Sequence, residues 1–196
     1  KDAHQKLSNL SSELHELKAL YQALRAARKA SGMIQFELAE PRVVFDADQK
    51  IESLVPIVRN VAHMMIEEYM LAANVCAAKC LLSAKFAGVF RVHPKPKLEK
   101  IEALRQYLKE VGVTLGGGKS PEPKDYASVL SQIADRPDRH VLQSMLLRSL
   151  SQAYYDVKNE GHFGLAFDAY THFTSPIRRY PDLMVHRLLQ KVLSKH

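Results

Sequence analysis

The chain has 196 residues, of which 46% are hydrophobic and 25% charged, and these values are ordinary for a globular domain. It contains no run of eighteen apolar residues and no signal peptide, so the sequence implies neither membrane insertion nor secretion. Lysine and arginine number 28 against 21 aspartate and glutamate, a formal charge of +7. This excess serves either solubility or binding to a polyanion such as nucleic acid.

The first 84 residues read as helix, short strands and helix. Apolar residues at three- and four-residue steps predict the helices, over residues 4–29 and 56–84. Alternating apolar residues predict three strands, over residues 33–38, 41–45 and 51–55. The aspartates Asp46 and Asp48 lie between the last two strands, where we interpret them as turn residues rather than calcium ligands.

Polar residues in the second predicted helix raise two alternatives. His63, Glu67 and Asn74 share one stripe of this helix, among methionines and alanines. Buried polar groups need partners, so the stripe is either a structural hydrogen-bond node, which the spacing favours, or a site. Cys76 and Cys80 lie one turn apart, too few for a zinc site and poorly placed for a disulfide, and we predict that they are small buried residues.

The rest of the chain is mostly helical by the same criteria. Three more helices are predicted, over residues 96–111, 124–134 and 138–155. A basic connector (91–100) and a glycine-rich loop (112–123) join them, and the loop lacks the glycine at position 113 that a P-loop needs. Residues 162–173 alternate in polarity, which predicts a strand that presents His162, Tyr170 and His172 on one face.

The segment "TSPIRRYPD" begins at residue 174 and mixes helix signals with helix breakers. Thr174 or Ser175 suits a helix N-cap, and Pro176 suits the first helical position. Pro181 should then kink the helix or restart it.

Two arginines fall within one turn of this predicted helix start. Arg178 and Arg179 would be unfavourable beside the positive end of a helix unless an anion such as phosphate completes the site. Alternatively, Asp182 pairs with one of them, at helical spacing from both. The sequence alone leaves both interpretations open.

The stretch "GHFGLAFDAYTHFTSPIRRYPDLMVHRLL" is similar to the signature near the C-terminal end of the catalytic (RNB) domain of the ribonuclease II family. The segments "IEEYMLAANVCAA", "FRVHPKP" and "LLRSLSQAYYD" follow the order expected in that family, so the resemblance covers nearly the whole chain. It implies an α+β fold, rich in helix with short antiparallel strands. Residues 1–196 would be the C-terminal portion of a single RNB domain, with the flanking cold-shock and S1 modules outside this chain.

The resemblance implies processive hydrolysis of single-stranded RNA from the 3′ end to nucleoside 5′-monophosphates with Mg²⁺, by a monomeric cytoplasmic enzyme without a membrane partner. Arg178 resembles the arginine at the scissile phosphate, with Arg179 a weaker candidate beside it. Glu67 resembles an acidic residue at the 3′-terminal ribose, and these positions make Arg178 and Glu67 the expected catalytic residues. Further RNA-binding residues are expected at Phe36, an aromatic clamp on the terminal bases, and at Tyr170, His172 and Ser175.

One departure from the family affects activity. The family holds its metal with an aspartate cluster in the first half of the catalytic domain, and no such cluster is found in this sequence. We therefore expect this piece to bind no metal or cofactor and to be inactive alone, with Mg²⁺ belonging to the parent enzyme. The alternatives are a non-catalytic RNA-binding or scaffold relative of the same fold, and a helical adaptor with an incidental basic surface.

Overall fold

The structure, a computed structural model, describes residues 10–36, 41–56 and 59–194. Within these ranges the chain forms six α-helices and two separate two-stranded antiparallel sheets, which confirms the predicted α+β class. The helices are α1 (Ser11–Ala30), α2 (Val61–Ser83), α3 (Leu98–Glu110), α4 (Pro123–Gln132), α5 (Arg139–Ser149) and α6 (Tyr180–Leu193). The strands are β1 (Pro41–Phe45), β2 (Ile51–Pro56), β3 (Phe90–Val92) and β4 (Tyr154–Asp156).

Two apolar clusters hold the helices together. The larger one joins α3, α4 and α5, where Leu108, Val129 and Leu146 are fully buried. The Tyr126 hydroxyl lies in this cluster and is hydrogen-bonded to Ser149 Oγ at 3.1 Å, so its polar end is satisfied. The smaller cluster joins α2 to α6. Helix α2 also packs against α1, so it lies between the N-terminal and C-terminal helices.

The short strand β3 organises the loops on both of its sides. One edge pairs with β4, and the other edge, continued by His93, bonds to the segment 161–170, which includes most of the predicted strand 162–173. The Arg91 N–H donates to Tyr170 O at 2.9 Å, and the His93 N–H donates to Gly161 O at 3.1 Å. Because these loop carbonyls are bonded to β3, the segment is fixed without being a regular strand.

The hairpin β1–β2 forms as predicted. Pro41 pairs with Pro56, and the turn is closed by Asp46, whose Oδ1 accepts the Asp48 and Lys50 N–H groups, each at 2.9 Å. This hydrogen bonding explains the aspartate at position 46 without a metal. Nearly all side chains of both strands are exposed.

The predicted strand over 162–173 is wrong. His162 Nδ1 accepts the Leu165 N–H at 3.2 Å, which caps a 3₁₀-helix over Phe163–Leu165, and Ala166 follows with φ +55°. The chain then folds back, and the His162 N–H donates to Phe167 O at 2.7 Å. A side chain that bonds its own backbone competes with strand formation, which the alternation of polarity does not reveal. The consecutive residues 169–171 are all buried, which also contradicts alternation.

Other boundaries and placements differ from the sequence prediction. Helix α5 ends at Ser149 instead of residue 155, and residues 154–156 form strand β4. The predicted connector 91–100 begins within strand β3. No strand forms over 33–36, and residues 4–9, 37 and 38 of the predictions lie outside the described part. Helix α2 begins at Val61, where the N-cap residue Asn60 and His63 form a capping box. Both cysteines are free thiols, but Cys76 is exposed and Cys80 only partly buried, so the prediction that both are buried is wrong.

The C-terminal helix begins later than predicted. Thr174, Ser175 and Pro176 lie in a turn region, and α6 starts at Tyr180 with Arg179 in the N-cap position. Pro181 falls in the first turn, where proline needs no hydrogen-bond donor, so it starts the helix instead of kinking it.

The buried Asn74 of α2 ties this helix to the segment that precedes α6. Its Nδ2 donates to the Tyr170 hydroxyl at 3.0 Å. Its Oδ1 accepts the N–H groups of Phe173 at 2.8 Å and Thr174 at 3.2 Å. Asn74 is therefore a structural hydrogen-bond node, the interpretation that the helix stripe favoured.

We expect Asn74→Ala to lower the free energy of unfolding by about 3 kcal/mol, because two partly buried N–H groups lose their acceptor. Tyr170→Phe, which removes only the acceptor of Asn74 Nδ2, should cost about 1 kcal/mol. Urea denaturation measures both values. Cys76→Ala, at an exposed position on the same helix, is the control and should change stability by less than about 0.5 kcal/mol. Equal losses in Asn74→Ala and the control would contradict the role of the node.

Candidate nucleic-acid interface

The turn before α6 presents Arg178 at the surface. The N–H groups of Arg178 and Arg179 both donate to Ser175 O, at 3.3 and 3.0 Å, which closes the turn. The Arg178 side chain is exposed, and no ion pair or side-chain hydrogen bond joins it to any residue that the structure describes. Its guanidinium is therefore available to an anion from outside the chain.

The neighbouring arginine is used differently. Arg179 Nη2 lies 2.8 Å from Oδ1 of Asp182, which is fully buried in the first turn of α6. The same oxygen accepts the Ser175 N–H at 2.8 Å. Of the two interpretations that the sequence left open, pairing with Asp182 applies to Arg179. Arg179 Nε, Asp182 Oδ2 and Thr174 Oγ1 are buried and lack a hydrogen-bond partner among the described residues.

His172 lies close to these arginines and is neutral at pH 7. Its Nδ1 lies 2.6 Å from the Tyr155 hydroxyl, and the two rings meet edge to face. Burial lowers the pKa of His172 to about 4, and the positive charge of Arg179 and, less strongly, those of Arg91 and Arg178 act in the same direction. A neutral imidazole beside three guanidiniums adds no further positive charge to this part of the surface.

Tyr170 lies beneath this surface. Its hydroxyl is held by Asn74, its ring stacks on Phe167 with centroids 5.8 Å apart, and its edge meets His172. Burial raises the pKa of the Tyr170 hydroxyl. The Tyr170 ring thus packs beneath the His172 ring. Ser175, the remaining predicted residue of this group, is half-buried, and its N–H donates to Asp182 Oδ1.

A second group of predicted residues lines a cavity of about 580 Å³ between α1, α2 and the start of α5. Both Phe36 and Glu67 line it, so the structure brings these two predicted residues together. Glu67 is exposed and ion-paired with Arg59, an arrangement of small energetic value in water. Arg178 and Arg179 are absent from the described lining of this cavity, so the predicted residues fall into two groups.

The cavity also contains an ion pair that the sequence analysis missed. Arg28 Nη1 lies 2.8 Å from Oε1 of Glu68, which is buried, and Arg28 lies over the Phe167 ring at 5.5 Å. Arg28 Nε and Glu68 Oε2 have no hydrogen-bond partner among the described residues. Through Phe167, which stacks on Tyr170, the cavity connects to the surface around His172. The adjacent glutamates in "IEE" gave a sequence signal, but only the fold shows which of them is buried.

The described carboxylates do not fit a Mg²⁺ site. Among the described residues no three His, Cys, Asp or Glu side chains are grouped so that they could hold a metal ion. Glu67, Glu68 and Asp182 are each ion-paired with an arginine, which competes with a cation for their oxygens. In the same ranges, no helix has the length and apolar character needed to cross a membrane.

Comparison with known families identifies the family of the chain. The RNB domain family matches residues 1–195, and the chain belongs to this family. Within it, the chain is similar to ribonuclease R of Vibrio cholerae, at 48% identity over 95% of this chain and 23% of that protein. Ribonuclease R of Escherichia coli is 48% identical over 99% of this chain and 24% of that protein. These findings confirm the resemblance found in the sequence, and the chain spans about a quarter of the length of these relatives.

Solved structures give the same result. Mycoplasma genitalium RNase R in complex with ribose-methylated single-stranded RNA has a TM-score of 0.85 and 34% identity, over 90% of this chain and 28% of that one. Yeast Ssd1, described as a pseudonuclease, has a TM-score of 0.62 and 24% identity over 70% of this chain and 18% of that one, a likeness of fold alone.

The lowered pKa values of two histidines predict that the fold loses stability in acid. Burial lowers the pKa of His162 to about 3 and that of His172 to about 4, from 6.5. As pH falls below about 6.5, the unfolded chain takes up protons that the folded chain still excludes. Stability should therefore be fully present above pH 6.5 and fall progressively toward pH 4.

Urea denaturation between about pH 7.5 and about pH 4.5 measures this dependence. His172→Gln should make the fall shallower, whereas His15→Gln, at an exposed position on α1, should leave it unchanged. An identical pH dependence in His172→Gln and the unsubstituted chain would contradict the assignment.

Proposed function

We propose that the chain is the C-terminal part of the catalytic domain of a 3′→5′ exoribonuclease that degrades single-stranded RNA to nucleoside 5′-monophosphates. The observation that carries this proposal is the difference between the two adjacent arginines. Arg179 is held by the buried Asp182, whereas Arg178 lies exposed on a turn that the fold fixes from two sides. A fixed, exposed guanidinium suits a phosphodiester, which it binds with two parallel N–H groups.

At the scissile phosphate, Arg178 would act by electrostatic stabilisation. Water attacks the phosphorus atom, the bond to the 3′ oxygen breaks, and negative charge grows on the non-bridging oxygens. A guanidinium that donates to these oxygens binds the transition state more tightly than the ground state.

The cavity of Phe36 and Glu67 would hold the 3′-terminal nucleotides. The Phe36 ring is half-buried, which leaves a surface on which a base of any identity can stack. The Glu67 carboxylate can accept a hydrogen bond from a ribose hydroxyl, and its exposed ion pair with Arg59 is weak enough to open or rearrange. A cavity lined by four arginines, Arg25, Arg28, Arg59 and Arg139, also suits the RNA backbone.

The proposal places Mg²⁺ with carboxylates of the parent enzyme outside this chain, because the described carboxylates do not fit the ion. The parent would be a monomeric cytoplasmic enzyme. The alternative is a non-catalytic RNA-binding or scaffold relative, and two observations favour considering it: the described residues offer no metal site, and the fold occurs in a pseudonuclease.

We expect the 196-residue chain to release no nucleoside 5′-monophosphate from a 3′-labelled RNA in the presence of Mg²⁺, because metal-dependent hydrolysis requires a cluster of ligands that its described residues do not form. The intact parent protein, assayed in parallel, should degrade the RNA. Turnover by the chain alone would contradict the missing-ligand argument. An inactive parent that still binds RNA would favour the scaffold alternative.

We expect Arg178→Gln to weaken binding of single-stranded RNA by the chain about tenfold, because one charged phosphate contact is lost. In the intact parent the same substitution should lower kcat/KM by about 100-fold or more, if the arginine acts at the transition state. Arg148→Gln, which removes one exposed charge from α5, is the control. Fluorescence anisotropy and single-turnover assays measure the two effects, and equal behaviour of both variants would contradict the role of Arg178.

A further inference from the structure

Arg91 is held on an exposed aromatic ring by the pairing of β3 with β4. Arg91 lies opposite Tyr155 in the antiparallel register. Its N–H points away from β4, to Tyr170 O, so the two residues form a non-hydrogen-bonded pair, in which side chains lie close together. The guanidinium carbon lies 4.8 Å from the centroid of the Tyr155 ring, and 39% of Tyr155 remains exposed. The strand pairing therefore fixes the position of this cation.

The positive charge of Arg91 has no carboxylate partner. Among the described residues, no acidic side chain forms an ion pair with it. Its nearest titratable neighbours include three histidines, His93, His162 and His172. Burial is the first cause of the lowered pKa of each histidine, and the charge of Arg91 lowers all three further. A half-buried guanidinium surrounded by neutral rings is a cation that lacks its anion.

Two of these histidines accept a backbone N–H through Nδ1, which their neutral form alone can do. His93 Nδ1 accepts the Gly164 N–H at 2.9 Å, while its Nε2 lies 2.7 Å from Ser151 O. His162 Nδ1 accepts the Leu165 N–H at 3.2 Å. A proton on either Nδ1 would break the bond to the backbone, so the rings cannot take up a proton without a structural change. An incoming anion would therefore be bound mainly by Arg91.

Arg91 and Arg178 both lie near His172: Arg91 stacks on Tyr155, whose hydroxyl lies 2.6 Å from His172 Nδ1, and Arg178 follows His172 in the same irregular segment before α6. The charges of both oppose protonation of His172, so both guanidiniums lie within electrostatic range of one imidazole. Asp182, the acidic residue whose charge acts on the same imidazole, is buried and already accepts from Arg179. Two such cations near one neutral ring, neither with an ion-pair partner among the described residues, suit a ligand that carries several phosphates, such as a polynucleotide.

We propose that Arg91, stacked on Tyr155, binds a second RNA phosphate, next to the phosphate bound by Arg178. This inference rests on the proposed function for its ligand class, single-stranded RNA, and adds a subsite to it. The fixed guanidinium donates to the phosphate oxygens, and the exposed part of the Tyr155 ring provides a surface for stacking of a base. Arg91 is a binding residue, because it contributes before and after the bond is cleaved.

The test measures binding of a fluorescein-labelled oligoadenylate to the 196-residue chain by anisotropy, between about 50 and about 300 mM KCl. Arg91→Gln should weaken binding about five- to tenfold and reduce the salt dependence by about one counterion. Arg91→Lys should keep the salt dependence but lose part of the affinity, because lysine lacks the planar fork. Arg148→Gln, with the same change of charge on α5, should weaken binding less than about twofold.

The outcomes separate this inference from the proposed function. If the unsubstituted chain shows no salt-dependent binding, or if Arg178→Gln behaves like Arg148→Gln, the proposed function fails. If Arg178→Gln weakens binding but Arg91→Gln matches Arg148→Gln, only the second phosphate site is overturned. Circular dichroism checks folding, and if Arg91→Gln does not fold, Arg91→Lys decides: unchanged affinity overturns the site, and reduced affinity with an unchanged salt dependence supports it.

Discussion

The position of Arg178 depends on the hydrogen bonds of one buried carboxamide. Asn74 in α2 binds the Tyr170 hydroxyl and the N–H groups of Phe173 and Thr174, about one hundred residues later in the chain. The segment between Tyr170 and α6 has no regular secondary structure, so its own backbone bonds cannot fix it. Asn74 on one side and β3 on the other replace the missing ladder, and the turn that carries Arg178 begins directly after them.

Charge is distributed unevenly over this framework. The carboxylates near the candidate sites each belong to an arginine: Glu67 to Arg59, Glu68 to Arg28, and Asp182 to Arg179. Arg178 and Arg91, by contrast, have no acidic partner within the described ranges.

The two buried ion pairs could each form further hydrogen bonds. Arg28–Glu68 and Arg179–Asp182 each keep polar atoms without a described partner, although each pair is otherwise closed. Such atoms are rare in folded proteins and require water, a ligand or additional polypeptide. The excess of basic residues in the composition therefore includes two specific cations, Arg91 and Arg178, besides any general contribution to solubility.

The sequence predicted the long elements better than the short ones. Helical periodicity identified α1 to α5, although α2 begins and α5 ends several residues away from the predicted bounds, and cap signals placed the start of α6 too early. Alternation with a central Asp turn identified the β1–β2 hairpin. Strands β3 and β4 have three residues each, too few to show a period, and were missed. The alternation of polarity over 162–173 predicted a strand wrongly, because the His162 ring accepts the Leu165 N–H and caps a 3₁₀-helix there.

The site was only partly predictable. Spacing alone raised the pairing of Asp182 with one of the two arginines, and the fold assigned it to Arg179. The helix stripe drew attention to Glu67, but the roles of Phe36 and Glu67 came from the family resemblance, and their shared cavity depends on how α1 and α2 pack. Arg91 had no signal, because its significance comes from a partner 64 positions away across a strand pair.

The exposed β1–β2 hairpin has a consequence for handling the chain. Two strands without a third layer are barely stable in water, and none of the described helices packs closely against this hairpin. Its strands also carry large apolar side chains on the surface: Val43, Phe45, Ile51, Leu54 and Val55. Free strand edges with such side chains invite pairing between molecules, opposed here by the charges at Arg42, Lys50 and Glu52. Concentrated solutions of the chain are thus prone to self-association through this ribbon, and more so at high ionic strength, where those charges are screened.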